Sequence, residues 1–243
     1  MSPHSYYLFT IPVSFFAGLT QGLTGFGSAL VAMPFFVEIL PARSAVSLSI
    51  LNGLLITSLL TLRHRRDVKF SNVAPLVIGA IPGIFLGIAF LKHANESLIR
   101  KLLGLLLVTY ATYSLIAWEK IPRLRPNALW GTLAGLLTGL IGASFSAGGP
   151  PTIIYVTLTG WSKDEMKATL SAFFLFTGAS IALGHALSGI TDQDVLLLFL
   201  LNAPSVAIGV ALGMRAYTRI PRELYLRGIL LLLLLMGILL MFG

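Results

Sequence analysis

Two stretches of this chain carry no charged residue and are too long for one membrane crossing: Ser5–Val37 and Asn127–Ser162. A single helix needs ~20 apolar residues to cross a ~30 Å hydrocarbon core. Both stretches are also studded with helix breakers. The first holds Gly18, Gly22, Gly25, Gly27 and Pro34. The second holds Gly131, Gly135, Gly139, Gly142, Gly148, Gly149, Pro150 and Pro151. Glycine in a helix interior costs ~1 kcal/mol and proline ~3 kcal/mol. Each stretch is therefore expected to break and turn inside the membrane.

The two stretches are copies of one another. Ala17-Gly18-Leu19-x-x-Gly22-Leu23-x-Gly25 returns as Ala134-Gly135-Leu136-x-x-Gly139-Leu140-x-Gly142, 117 residues later, and Pro34 falls on Pro151 at the same spacing. Pro82-x4-Gly87 resembles Pro204-x4-Gly209 at a slightly larger spacing. Such an internal repeat is a known transporter design. The division places a first repeat over 1–122, with a broken segment at 5–40 and helices at about 44–62, 70–91 and 101–118. The second covers 123–243, with a broken segment at 127–162 and helices at about 166–189, 194–215 and 223–242. The expected class is an all-α integral membrane protein of two inverted repeats in one membrane domain. Each repeat joins a broken or hairpin segment to three transmembrane helices, giving 8–10 membrane segments in total.

Composition supports the bilayer as solvent. Charged residues make up 11% of the chain and mean hydropathy is +0.89, against about 25% charged in soluble domains. The net charge of +8 belongs to short connections rather than to a nucleic-acid surface, so no nucleic-acid partner is expected. With no cysteine, no disulfide or thiolate chemistry exists. Met1-Ser2-Pro3-His4 lacks a basic n-region and a cleavage pattern, so no removable leader is expected.

Charge also fixes the expected orientation. If each broken segment crossed once, seven Lys and Arg would face ten. If each returns to its own side, one side carries thirteen: Arg63, Arg65, Arg66, Lys69, Lys120, Arg123, Arg125, Lys163, Lys167, Arg215, Arg219, Arg222 and Arg227. The other keeps Arg43, Lys92, Arg100 and Lys101. The positive-inside rule selects the second arrangement. It inverts the halves and places both termini outside.

No Asp, Glu, Lys or Arg lies at the middle of a span. Glu38 is near the end of the first broken segment, and His185, toward a helix end, reads as interfacial. There is no metal motif, no nucleophile with a base and no nucleotide-binding loop, so neither an enzyme nor a cofactor is expected. What lies at depth is small and neutral: Thr20, Gln21, Thr24 and Ser28 in the first break, and Thr138, Ser144, Ser146, Thr152 and Tyr155 in the second, with Asn52 and Asn202 beside them. Broken helices expose backbone N–H groups and a positive dipole end. Together these make an anion site without a basic side chain. The candidate substrate-binding set is Gly22, Gly25, Ser28, Asn52, Gly139, Gly142, Ser144, Ser146, Gly148 and Asn202. The alternative for each residue is close helix packing alone.

Gly18-x3-Gly22-x2-Gly25-Phe26-Gly27 with Pro34 resembles the first half of the TauE/SafE family of sulfite and organosulfonate exporters. Gly135-x3-Gly139-x2-Gly142-x5-Gly148-Gly149-Pro150-Pro151, followed by Tyr155 and Gly160, is similar to the second half. The second half has Gly142-Ala143-Ser144 where the first has Gly-Phe-Gly. The resemblance implies a multi-pass protein of a bacterial cytoplasmic membrane that moves sulfite, sulfoacetate, thiosulfate or sulfate, by export from the cytoplasm. The alternatives are an anion channel or uniporter of other specificity and a non-transporting scaffold subunit. The expected partners are a small-molecule anion and the lipid bilayer, and a homodimer is left open.

Overall fold

The computed structural model describes residues 3–64, 69–117, 127–216 and 222–242. These form ten helices and no strand: α1 (Pro3–Thr24), α2 (Ser28–Ile39), α3 (Ala42–His64), α4 (Phe70–His93), α5 (Glu96–Ala117), α6 (Ala128–Phe145), α7 (Gly149–Leu158), α8 (Lys163–Leu187), α9 (Gln193–Ala216) and α10 (Arg222–Phe242). The division at 122/123 and the basic residues Arg65, Arg66, Lys120, Arg123, Arg125 and Arg219 lie outside the described residues.

Six of the helices are long and apolar enough to cross a membrane: α3, α4, α5, α6, α8 and α9. The broken segments thus divide unequally. In the second, α6 is a full-length arm of 18 residues and α7 a short one of 10. In the first, α1 has 22 residues and α2 has 12. At 1.5 Å per residue the short arms reach only ~18 Å and ~15 Å, about half of a ~30 Å core. The last helix, α10, has 21 residues, about the ~20 that one crossing needs.

The glycines explain the packing. A Cβ on Gly18 would lie 2.5 Å from Val206 O, and one on Gly22 2.6 Å from Val210 O. Reciprocally, Gly209 lies on Phe15 O and Gly213 on Leu19 O. The same seam joins α4 and α6, where Gly79 meets Thr132 O, Gly83 meets Leu136 O, Gly135 meets Leu76 O and Gly139 meets Ala80 O. Residue numbers rise together along both members, so each pair runs parallel. In lipid there is no hydrophobic drive between helices, and missing side chains let backbones approach for dispersion contact.

The two seams share one rule. Adding 117 carries Phe15 to Thr132 and Leu19 to Leu136, while Gly209 and Gly213 correspond to Gly79 and Gly83 at a spacing of 130. The match of Pro82 to Pro204, at 122, is therefore not the packing register of α4 and α9. Beyond the breaks the 117 spacing also lapses: Pro34 is the seventh residue of α2, Pro151 the third of α7. The remaining large contacts are α3 with α8 and α5 with α10. This exchange of partners is compatible with two inverted repeats of five helices. Met33, Phe36, Leu48 and Phe173 are fully buried at its centre.

Polar contacts collect at two ends. At one, Lys69 pairs with Glu165, and Tyr155 donates to Asn127 O at 3.4 Å. There Ser162 and Glu165 form a capping box that starts α8. At the other, the Glu96 carboxylate takes the Ala42 N–H at 2.9 and 3.1 Å. Arg43 Nε donates to Leu91 O at 3.1 Å, a cation at the C-terminus of α4. Ser47 meets Thr191 at 2.7 Å at this same end.

Candidate functional site

The two helix breaks meet α3 and α8 around a cavity of about 90 Å³. Drug-sized pockets run ~300–1,000 Å³, whereas one water needs only ~10–15 Å³ of such space. The cavity thus suits a small ion with a few waters. Its walls come from Gln21 and Phe26–Leu30, from Ser49, Gly53 and Thr57 of α3, from Thr138, Gly142 and Ser146–Gly149, and from Phe174, Thr177 and Ile181 of α8. Among the described residues no charged one lines it.

Each break arises from its local sequence. In the first, Gly25 and Gly27 have φ of +86° and +92°, values that glycine adopts at little cost. Thr24 Oγ1 stands 2.8 Å from Thr20 O and 2.5 Å from Phe26 O, within reach of its one hydrogen, and accepts the Phe26 N–H at 3.3 Å, holding the turn. In the second, α6 ends at Ser146, whose φ is 59°. Gly148 then returns so close that a Cβ there would meet Thr138 O and lie 2.8 Å from the Gly142 Cα.

The short helices start at the cavity with no side-chain cap at Gly27 or Gly148. The N–H groups of Ser28, Ala29 and Leu30 therefore have no intrahelical carbonyl, and the dipole adds positive potential. In α7, Pro150 and Pro151 have no N–H, which leaves Gly149 as the donor of its first turn.

Side-chain polarity agrees with this. Ser28 Oγ donates to Gln21 Oε1, so the acceptor end of that amide is held and the NH2 end is left for the cavity. Ser146 Oγ donates to Ser49 Oγ at 2.9 Å, which frees the Ser49 hydroxyl hydrogen. Thr138 and Thr152 bond each other at 2.6 Å, tying α6 to α7 as Gln21 and Ser28 tie α1 to α2. Gln21 and Thr138 stand 117 residues apart, so equivalent positions brace both breaks.

Of the candidate substrate-binding set, Ser28, Gly142, Ser146 and Gly148 line the cavity. Gly22 and Gly139 lie in the α1–α9 and α4–α6 seams instead. Gly25 shapes the first turn without lining the cavity. Ser144 points to Gly87 O at 3.4 Å. Asn52 and Asn202 bond to Ser14 and Thr10 of α1, outside the cavity lining. His185, expected at an interface, is fully buried. Its Nε2 is 3.0 Å from Ala143 O, one of the carbonyls that the end of α6 leaves without an intrahelical donor. Gln21 and Ser49 are the donors absent from the candidate set. The signal for Gln21 was its place two turns before Ser28, and Ser49 had none. Among the described residues no three His, Asp or Glu side chains gather to hold a metal ion.

A family model described as "Sulfite exporter TauE/SafE" matches residues 10–240. No curated protein and no solved structure matches the chain.

Proposed function

This chain belongs to the sulfite exporter TauE/SafE family, and on that premise we propose that it exports a small sulfur oxyanion from the cytoplasm through the cavity between its two helix breaks. The observation that carries the reading is a cavity lined by no charged residue among those described, onto which two uncapped helix N-termini and the Gln21 amide turn their donors. A dehydrated anion is costly in hydrocarbon, so it needs several donors at once. Neutral donors also hold it less tightly than a buried Arg would, which favours release.

Sulfite, sulfoacetate, thiosulfate and sulfate are the candidate substrates. The ligands in this reading are the N–H groups at Ser28–Leu30 and Gly149, the Gln21 amide and the Ser49 hydroxyl, with Ser28, Gly142, Ser146 and Gly148 shaping the wall. The protein sits in the bacterial cytoplasmic membrane with its Lys69–Glu165 end inside, because the side bearing Lys69 has the larger share of Lys and Arg. Efflux of labelled sulfite from proteoliposomes tests the function. Saturable efflux that Gln21→Leu slows at least tenfold is expected, and protein-free rates from the unaltered chain would overturn it. For orientation, single cysteines at Ser71 and Ser162 are expected to react with an impermeant reagent from the same, cytoplasmic side. Reaction of the two from opposite sides would refute the inverted arrangement.

A further inference from the structure

The short helices that follow the two breaks are supported differently on the side away from the anion cavity. Behind α2 stands α10. The other short helix, α7, packs chiefly on α6 and α8. Behind it lies a groove of about 860 Å³ between α5, α6 and α7. Thus α7 is a partition: Gly149 lines the anion cavity, while Pro150, Pro151 and Ile154 line the groove.

The groove is continuous with the surface that meets the bilayer. Leu105, Trp130 and Leu137 line it and are each about half exposed, while Ala134 and Phe145 form a buried floor. Polarity is graded along it. Tyr113, Trp130 and Tyr155 line the end where Tyr155 donates to Asn127 O, and tyrosine and tryptophan collect at headgroup depth. Leu102, Phe145 and Pro150 line the other end, at the depth of the second break. Polar tips followed by hydrocarbon is the order in which a phospholipid presents its own groups.

The dimensions also select the occupant. From Leu102 to Tyr113 along α5 the groove runs ~17 Å at 1.5 Å per residue, close to one leaflet of a ~30 Å core. Its volume over that length gives a cross-section of ~50 Å², against ~80–110 Å² for a helix of ~10–12 Å diameter. A helix from a second copy is too wide to enter. Left void, the walls would forfeit dispersion contact. We propose that a phospholipid of the leaflet on the Lys69–Glu165 side seats an acyl chain in this groove, and that the chain braces α7 as α10 braces α2. The bilayer then supplies part of the backing for the helix that carries the Gly149 donor. The lipid site stands whether or not the cavity takes a sulfur oxyanion.

The test is thermal unfolding of the purified full chain in a steroid-based detergent, which has no acyl chain, titrated with dioleoylphosphatidylcholine. A ligand that binds only the folded state raises Tm, and a saturable rise of ~4–8 °C is expected. Dihexanoylphosphatidylcholine has the same headgroup and chains too short to fill the groove, so it is expected to give no rise. Ile154→Trp fills the groove and is expected to remove the dioleoyl effect. Leu200→Trp adds the same bulk on α9, at a side chain that is 66% exposed, and is expected to keep it. No rise, an equal rise with the short-chain lipid, or the same response in both variants would overturn the site. Should Ile154→Trp fail to fold, Leu137→Trp fills the groove from α6 and is read in the same way. A lipid-free dimer of the unaltered chain in light scattering, lost on filling the groove, would assign it to a second copy and overturn the proposal. Because sulfite is absent, failure here leaves the anion reading untouched.

Discussion

The two helix breaks do the same job by different means. The first takes its shape from backbone freedom: Gly25 and Gly27 sit at positive φ, and a Cβ on Gly25 would meet nothing within 4 Å. The second takes its shape from close approach: Gly148 has an ordinary φ of −73°, and its missing side chain is what lets the chain lie on α6. Their surroundings differ too. The last helix, α10, closes on α2, with Leu233 fully buried beside Phe26 and Leu30. Its counterpart α5 stands away from α7, leaving an apolar groove of about 860 Å³ lined by Leu102, Tyr113, Leu137 and Ile154. The donor groups divide the same way, with three free N–H groups at α2 and prolines at α7. Sequence repetition has preserved the position of the breaks and not their mechanics.

The sharpest way to break this comparison is to add one methyl group to each turn. Gly148→Ala is expected to abolish sulfite efflux and to cost ~1–3 kcal/mol through overpacking against Thr138 O and the Gly142 backbone. Gly25→Ala has room, so only the left-handed backbone resists it, at ~1–2 kcal/mol. Gly25→Asn is expected to retain at least half the flux, since asparagine visits that region readily. If Gly25→Asn is as inactive as Gly148→Ala, the distinction between freedom and space is lost.

The next effect concerns the paired braces. Removing a hydrogen bond to a charged group costs ~1.5–3 kcal/mol, so Gln21→Leu should weaken anion affinity by about 10–100-fold. Thr138→Val removes a hydroxyl whose observed bond is to Thr152, and a neutral bond is worth ~1 kcal/mol, or about fivefold. Equal losses, measured by anion-concentration dependence of flux, would show the two halves sharing the load. Weaker still is a contrast in stability alone. Leu233→Trp overfills the α10–α2 contact and should lower stability by ~1–3 kcal/mol, whereas Ile154→Trp enters the open groove and should change it by less than ~0.5 kcal/mol. Comparing Tm in detergent decides it. The smallest expected effect is at Ser144, whose only observed bond is the 3.4 Å contact to Gly87 O. Ser144→Ala should leave efflux within about twofold, and a larger loss would bring that hydroxyl into the site.

Much of the architecture was legible because charge and helix breakers act locally. The start of α3 near Arg43 and the breaks around Gly25 and Gly148 follow from nearby residues, whereas the capping box that starts α8 at Lys163 rather than near 166 was not read. What the glycines were for was not legible. Gly22 and Gly142 look alike as a spacing, yet one faces the carbonyl of Val210 across a seam and the other faces the cavity. That difference depends on which helix arrives from the other half. Amide polarity was equally hidden. Gln21, Asn52 and Asn202 are the same functional group, and only their contacts decide whether nitrogen or oxygen is left open. His185 was misread for the same reason: proximity to a helix end in sequence says nothing of the carbonyl that α6 presents to it.

The parallel seams have a mechanical consequence. They fasten α1 to α9 and α4 to α6, backbone against backbone, and each fastening joins the first half of the chain to the second. The repeats are therefore interlaced, and neither can swing as a rigid block against the other without prising open contacts that have no side chain to bend. The stiff planks of this molecule are the α1–α9 and α4–α6 pairs. Any motion that passes a solute from one face to the other has to slide or tilt those planks past each other, with the fulcrum among α2, α3, α7 and α8.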